Sequence, residues 1–467
     1  MIRQYNISVQ EFLAESSNGN VDYTDFVAHA MREMEGKNKK LLFIRGGADF
    51  NKRVSASKTL YGLPISVKDC ICVKGVESCA GSKILQGYKP TFDATAISRI
   101  KEIGGRVLCK TNQDEFGFGT FCTNSAYDIP KNPFDNERAC GGSSGGAGCI
   151  TQALDVPHIA LGQSTGGSIS CPASFCGIVG LTPTYGLVSR YGLIDYANSL
   201  DKIGPMGKCV YDVAFMLSII AGHDPRDQTT LNVPKKDYTK SLSGSLKGMK
   251  IGIPKEYFKN IDESVENCVR NAIGEIEKEG AKVINVSLPN TKYALASYYI
   301  IATAEASTNL AKYCGMRYGL HLQLKGGFDE YFSSVRSKGF GPEAKRRIML
   351  GTFARMAGYR DAYYMKALKV RTMIINDFKH AFKNVDVLCA PTMPVLPPKF
   401  SDISKMTLAE QYQSDVLTVP ANLAGLPMIS VPCGFVGKLP VGLHIIGDHL
   451  QEEKILKTAN AYEKIRK

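Results

Sequence analysis

The sequence predicts an α/β fold, a single large mixed sheet with helical layers on both faces. Short apolar runs of strand length alternate with amphipathic stretches of helical period along most of the chain. Glycines stand where one kind of run gives way to the other. No low-complexity linker and no internal repeat divides the 467 residues. The span 1–467 therefore reads as one domain, long for a single unit but within the range of large α/β enzymes.

Residues 1–45 read as an N-terminal helical segment, because Phe26, Val27, Ala30 and Met34 recur at about a 3.6-residue period. From 60 to 210 Gly and Ser multiply, and the strand-like runs LPISVKD and GRVLCKT alternate with helical ones. Thr95 to Ile103 predicts a helix, stopped by Gly104-Gly105 ahead of the strand RVLC. Residues 248–288 repeat that grammar. KIGIP is a strand, Ser264 caps a helix, Gly280 ends it, and KVINVSLP is the next strand. The apolar stripe of that helix is Val265, Cys268, Val269, Ala272, Ile273 and Ile276. Residues 290–385 read as mostly helical, and DVLCAPTMP, ISVPCGF and PVGLHIIGD return to strand.

Composition removes several function classes. Hydrophobic content of 44% and charged content of 22% are those of a soluble globular chain. Apolar stretches are short and broken by Gly, Pro or charge, so none is expected to span a bilayer. The opening MIRQYNISVQEFLAE lacks a secretory apolar core and is too acidic for a transit segment, so the expected location is the cytoplasm. The 14 cysteines sit among apolar neighbours, as in VLCK, FCGIVG and DVLCAP. No CxxC occurs and Cys70-x-Cys72 is poor ligand spacing, so buried reduced thiols are expected and no metal site. A net charge of +13 fits nucleic acid, an acidic partner or simply a basic surface, and no RNA-binding module signature accompanies it.

Three segments between 60 and 210 can carry chemistry. Gly62-Leu-Pro-Ile-Ser-Val-Lys68-Asp69 puts a lone Lys at the end of an apolar strand. Cys140-Gly-Gly-Ser143-Ser144-Gly-Gly-Ala147 and Gly162-Gln-Ser-Thr165-Gly166-Gly167-Ser168-Ile169 are glycine-rich turns carrying serines. Each alone has a bland reading, as a turn whose glycines take positive φ and whose serine caps a helix. The absence of a Gly-Lys-Ser/Thr after either loop argues against a phosphate cradle. A serine hydroxyl is a weak nucleophile without a positioned base, and a buried lysine can supply one because burial disfavours its ammonium form.

Together the three segments resemble the amidase signature family, whose hallmark is GGSSGG, a GGS nucleophile loop some two dozen positions later, and an upstream Lys. The resemblance implies the amidase signature fold, with Ser168 as nucleophile, Ser143 as bridging serine and Lys68 as base. It also implies an oxyanion hole formed by Thr165, Gly166, Gly167 and Ser168. A rival reading takes Gly141-x-Ser143-x-Gly145 as a hydrolase nucleophile elbow with Ser143 attacking. That motif must follow a strand and needs a histidine, yet NPFDNERAC reads as loop, and His158 and His444 lack a supporting pattern.

Longer blocks narrow the resemblance, among them PTYGLVSRYGLIDYANSLDKIGPMG, AGHDPRDQTT, YYIIATAEASTNLAKYCGMRYG and DVLTVPANLAGLPMISVPCG. With KRRIMLGTF and GYRDAYYMKALKVR, they are similar to the A subunits of glutamyl-tRNA(Gln)/aspartyl-tRNA(Asn) amidotransferases. This implies a glutaminase that releases ammonia through an acyl-enzyme, with Arg347 on the substrate carboxylate, Asp415 on its α-amino group and Tyr299 shaping the pocket. Arg346 is the alternative carboxylate clamp, and a solvated basic run is the plain reading of Lys345-Arg346-Arg347. The resemblance further implies no cofactor in this chain. ATP and Mg are used by a B subunit, which also carries most of the tRNA contact, and a small C subunit joins the two. The alternative function is a free-standing amidase acting on small amides. Ser164 and Ser170 depart from the family's usual Asp and Arg, and one extra residue lies near His158.

Overall fold

The computed structural model describes residues 5–47 and 59–466. The chain opens with α1 (Val9–Ser17) and α2 (Tyr23–Leu41), then forms β1 (Ile44–Gly47). The N-terminal helical segment thus ends at Leu41, where Leu42 takes a left-handed conformation and the chain turns into a strand. Residues 1–4 of that segment lie outside the described residues.

Next come β2 (Pro64–Lys68), α3 (Thr95–Glu102), β3 (Arg106–Thr111) and a ribbon of β4 (Lys131–Asn132) and β5 (Asp135–Ala139). The signature core continues with α4 (Gly145–Ala153), β6 (Ile159–Ser164), α5 (Ser170–Phe175), β7 (Val179–Thr182), β8 (Lys202–Gly207) and α6 (Val210–Ile220). Then follow β9 (Lys250–Pro254), α7 (Glu263–Lys278) and β10 (Lys282–Val286). The cap of α7 is Asp262, whose carboxylate accepts from Ser264 N–H at 2.8 Å, so the predicted cap lies two residues too late. Asp and Ser both cap well, and the sequence offers both within three residues.

The helical stretch is α8 (Ala294–Asn309), α9 (Phe328–Gly339), α10 (Pro342–Arg355) and α11 (Lys366–Ala381). The chain closes with β11 (Val387–Pro391), α12 (Phe400–Ile403), α13 (Leu408–Gln413), α14 (Val419–Leu423), β12 (Met428–Val436), β13 (Leu439–Gly447) and α15 (Glu452–Ile465).

Eleven strands form one sheet in the order β1-β3-β2-β6-β8-β7-β12-β13-β11-β9-β10. Pairing is parallel for β2/β3, β2/β6 and β9/β10, and antiparallel for β6/β8, β7/β8 and β12/β13. Every residue of β2, β6, β8, β11 and β13 is buried. Because successive side chains point to opposite faces, both faces of these strands must be covered. The main hydrophobic cluster of the described residues extends from Tyr5 to Tyr462, and a smaller one gathers Phe121, Ala139, Cys171, Phe175, Met393 and Ile403. All 14 cysteines are free, and ten of them are buried.

Candidate active site

Strand β2 drives apolar Ile65 and Val67 into the core and carries Lys68 in with them, so its side chain is fully buried. Strand β6 lies parallel to β2, with Ile65 opposite Ile159 and Val67 opposite Leu161, which brings Gln163 alongside Lys68. Lys68 Nζ reaches Ser143 Oγ at 2.6 Å, the Gln163 carbonyl at 2.9 Å and Gln163 Oε1 at 2.9 Å. Burial lowers its pKa, against the opposing pull of Cys70, Cys122, Asp114 and Asp201. In the neutral amine two N–H groups can stay on the two Gln163 oxygens, and the lone pair then faces the Ser143 hydroxyl. Two fixed acceptors thus aim the base.

Ser143 follows a cis Gly142–Ser143 peptide, and the next loop is tied to it by Ser144 N–H donating to the Ser168 carbonyl at 3.2 Å. The Ser144 hydroxyl donates to the Gln163 carbonyl at 3.0 Å. The structure therefore makes the Lys68–Ser143 leg of the expected relay directly. It does not make the Ser143–Ser168 leg: among the described residues the Ser168 hydroxyl forms no hydrogen bond.

Within the nucleophile loop, Thr165 Oγ1 donates to Asp201 at 2.6 Å, and the Gln163 amide donates to both Thr165 Oγ1 at 2.7 Å and Asp201 at 3.0 Å. Asn422 Nδ2 donates to the Thr165 carbonyl. Glycine is required at 166 and 167 by space, not by positive φ. A Cβ at 166 would press on the Tyr298 phenol at 3.0 Å, and one at 167 would collide with Thr418. Among the described residues the backbone N–H groups of 165 to 168 donate to no protein acceptor. Such a row of free donors suits a developing oxyanion.

A second cluster lies across this loop. Arg347, on the inner face of α10, is buried, whereas Arg346 is partly exposed and pairs with Glu343 at the helix surface. Arg347 Nε donates to Glu343 at 2.8 Å and Nη1 to the Tyr196 phenol at 2.6 Å. Four rings, Phe118, Tyr196, Tyr299 and Tyr412, stand 5.1 to 5.7 Å from its guanidinium carbon. Tyr412 also donates to Glu343 at 2.7 Å and stacks on Tyr299 at 4.2 Å. Tyr299 donates to Asp415 at 3.0 Å. Burial pushes Asp415 up to about 6, although hydrogen bonds from Thr120 and Tyr299 act the other way. The residues expected to bind substrate thus form one connected group, with an arginine and a carboxylate held apart by tyrosines.

Several members of the site were not foreseen. Gln163 and Asp201 tune the base and the loop, Tyr196 and Glu343 hold Arg347, and Asp114 anchors Cys122 and Asn124 by backbone hydrogen bonds at 3.0 and 2.8 Å. A polar Gln closing the apolar run IALGQ, and the Asp that ends SLD just ahead of the strand KIGPMG, were the available signals. The elbow reading fails on geometry. His158 bonds Ser66 at 2.8 Å, His444 lies inside β13, and Ser143 is joined to Lys68. The segment before the serine, expected as loop, is strand β5, but it belongs to the separate two-stranded ribbon. Among the described residues no group of three His, Cys, Asp or Glu side chains could hold a metal, and no helix is long and apolar enough to cross a membrane.

The amidase family model matches residues 46–456. The chain belongs to the amidase family. It is 52% identical over 406 residues to the glutamyl-tRNA(Gln) amidotransferase A subunit of Halothermothrix orenii, covering 86% of this chain and 84% of that one. The corresponding protein of Roseiflexus castenholzii is 45% identical over 465 residues, covering 98% and 94% of the two chains. The crystal structure of the Thermotoga maritima A subunit superposes with a TM-score of 0.85 at 37% identity, covering 100% of this chain and 96% of that one. A bacterial aryl acylamidase of the amidase signature family shares the fold at a TM-score of 0.85 and 21% identity, covering 99% and 96% of the two chains.

The two departures from the family pattern have a physical counterpart. The Ser164 and Ser170 hydroxyls are both buried and without hydrogen-bond partners. Two small neutral hydroxyls leave no charge at either buried position. Ser170→Arg alone should bury an uncompensated guanidinium and cost about 3–5 kcal/mol, read as a lowered midpoint in urea. Adding Ser164→Asp should recover part of that loss.

Proposed function

We propose that this chain is the glutamine-hydrolysing subunit of a tRNA-dependent amidotransferase. The observation that carries it is a buried, aimed lysine on Ser143 beside a nucleophile loop that packs on Tyr298 and Thr418, sequence neighbours of Tyr299 and Asp415 in the cluster around Arg347. Glutamine carries a carboxylate and an ammonium, so its site needs a cation and an anion held apart. Arg347 offers a guanidinium held at Nε by Glu343 and at Nη1 by Tyr196, and Asp415 offers the anion. The 45–52% identity to A subunits of glutamyl-tRNA(Gln) amidotransferases supports this substrate over a generic small amide.

In the proposed sequence, neutral Lys68 takes a proton from Ser143 as Ser143 takes one from Ser168. The Ser168 oxygen attacks the side-chain amide carbon, and the N–H groups of 165–168 receive the oxyanion. The relay returns the proton to nitrogen, and ammonia leaves. Water then hydrolyses the γ-glutamyl ester to release glutamate. Hydrogen bonds of this kind commonly tighten only when substrate is in place, which accords with the open Ser143–Ser168 leg.

Ammonia passes to a B subunit, which uses ATP and Mg to activate the acyl group on Glu-tRNA(Gln) or Asp-tRNA(Asn) and carries most of the tRNA contact. A small C subunit completes the heterotrimer, which works in the cytoplasm. Reconstitution tests this directly. With the B and C subunits, ATP and misacylated tRNA, glutamine hydrolysis should rise and amide should form on the tRNA. Rapid turnover of simple aryl amides by the isolated chain, unaffected by the other subunits, would contradict it.

The pocket assignment predicts a pH signature. Asp415 sits at about 6 because of burial, so it is neutral below that pH and cannot pair with an ammonium. KM for glutamine should therefore rise as pH falls through about 6 and stay flat above it. Arg347→Met should raise KM by roughly 30–100-fold, the size of a lost charge-assisted hydrogen bond with its carboxylate left unpaired. Initial-rate measurements across pH 5 to 8 check both.

A further inference from the structure

The polarity of one side-chain amide determines whether Lys68 can take a proton. The two ends of the Gln163 amide have the same shape, but only the oxygen end can receive an N–H from Lys68 and leave the lysine lone pair to Ser143. A reversed amide would turn its NH2 on the amine. Lys68 would then accept from Gln163, donate to Ser143 and cease to be a base.

Asp201 prevents that reversal. Antiparallel β6 and β8 set Ser164 opposite Lys202, so Thr165 and Asp201 fall side by side just beyond the strand ends. Asp201 is fully buried, and Gln163 and Thr165 are nearly so. One oxygen of the carboxylate accepts from the Gln163 amide at 3.0 Å and from the Thr165 hydroxyl at 2.6 Å. That hydroxyl in turn accepts from the Gln163 amide at 2.7 Å. A carboxylate donates nothing, and the Thr165 proton is already committed to it, so both partners demand the NH2 end of Gln163. The oxygen end is left for Lys68. The other carboxylate oxygen accepts from the backbone N–H groups of Tyr196 at 2.8 Å and Ala197 at 3.0 Å, on the loop whose Tyr196 phenol holds Arg347.

We propose that Asp201 is a positioning residue for the base, its carboxylate fixing which end of the Gln163 amide faces Lys68. This rests on the reading of Lys68 as the base.

Asp201→Asn is the diagnostic change. The Tyr196 and Ala197 N–H groups require an oxygen, so the asparagine must point its NH2 at Gln163 and Thr165. The Thr165 hydroxyl can rotate to accept it, but the Gln163 amide must reverse. Burial pushes Asp201 up to about 7, against hydrogen bonds from Thr165 and Tyr196, so rates are compared at pH 8.5, where the carboxylate is ionised. In the chain assembled with the B and C subunits, kcat for glutamine hydrolysis should fall by about 100-fold or more, the scale of a lost general base. KM should stay near wild type, because the backbone anchors of Tyr196, and with them Arg347, remain. Gln163→Met fills similar space without a donor. Alone it should lower kcat less than Asp201→Asn does, and added to Asp201→Asn it should raise kcat to its own level.

Wild-type kcat in Asp201→Asn overturns the proposal. So does a loss carried by KM, or an Asp201→Asn loss that persists in full in the Gln163→Met background, where the charge of the carboxylate alone would be responsible. Thermal midpoints and ammonia-driven amide formation report folding. If Asp201→Asn does not fold, Gln163→Met carries the test: reduced kcat at unchanged KM supports the proposal, and wild-type kcat overturns it. Lys68→Ala is run alongside. Activity there overturns the base itself, whereas an inactive Lys68→Ala beside an unaffected Asp201→Asn overturns this inference alone.

Discussion

Replacing Ser168 by alanine should lower glutamine hydrolysis by on the order of 10⁴ to 10⁶, while ammonia-driven amide formation by the assembled enzyme continues. The size follows from removing the atom that forms the acyl bond, since loss of a nucleophile leaves just the binding and oxyanion contributions. Ser168 is 6% exposed and its hydroxyl holds no hydrogen bond among the described residues, so the substitution costs no buried polar contact. The variant should fold and assemble as wild type does. Retained ammonia use separates nitrogen release from nitrogen transfer. If free ammonia does not rescue the variant, the chain takes part in more than glutamine hydrolysis. The measurement is amide formed on tRNA with glutamine or ammonium chloride as donor.

Substitution of Lys68 should produce the second largest effect and distinguish a base from a charge. Arginine keeps the positive charge but does not deprotonate in proteins, so Lys68→Arg should be as inactive as Lys68→Ala. Both should lose about 10³- to 10⁴-fold or more, because the proton has nowhere to go. The arginine variant should also be destabilised, since the site offers Gln163 oxygens and a serine hydroxyl but no carboxylate within hydrogen-bond reach. With burial lowering the Lys68 pKa, the wild-type rate should rise with pH as the amine loses its proton and then level off. An arginine variant with substantial activity would remove lysine as the base. The pH profile of kcat/KM for each variant checks this.

How much of this was legible in the sequence depended on whether the signal was local. Helix α7 and its flanking strands followed from one apolar stripe and one glycine, and the structure shifts only the cap, to Asp262. Lys68, Ser143 and Ser168 lay in motifs short enough to read directly. Gln163 and Asp201 did not stand out, because their importance comes from sheet register. Gln163 becomes a partner of Lys68 only when β6 pairs with β2. The choice between Arg346 and Arg347 was also undecidable from a run of three cations. The buried one is set by which face of α10 packs on α8, a matter of tertiary contact. The glycines at 166 and 167 are required for space: they leave room for Tyr298 and Thr418 and do not adopt left-handed backbone.

The central claim is that Ser168, deprotonated through Ser143 by Lys68, forms the covalent bond to the substrate. Rapid acid quench of the assembled enzyme turning over glutamine, followed by peptide mass mapping, tests it most directly. A γ-glutamyl ester on the peptide containing Ser168, absent from Ser168→Ala, is the predicted result. The same adduct on Ser143, or its persistence in the Ser168→Ala enzyme, would contradict the account.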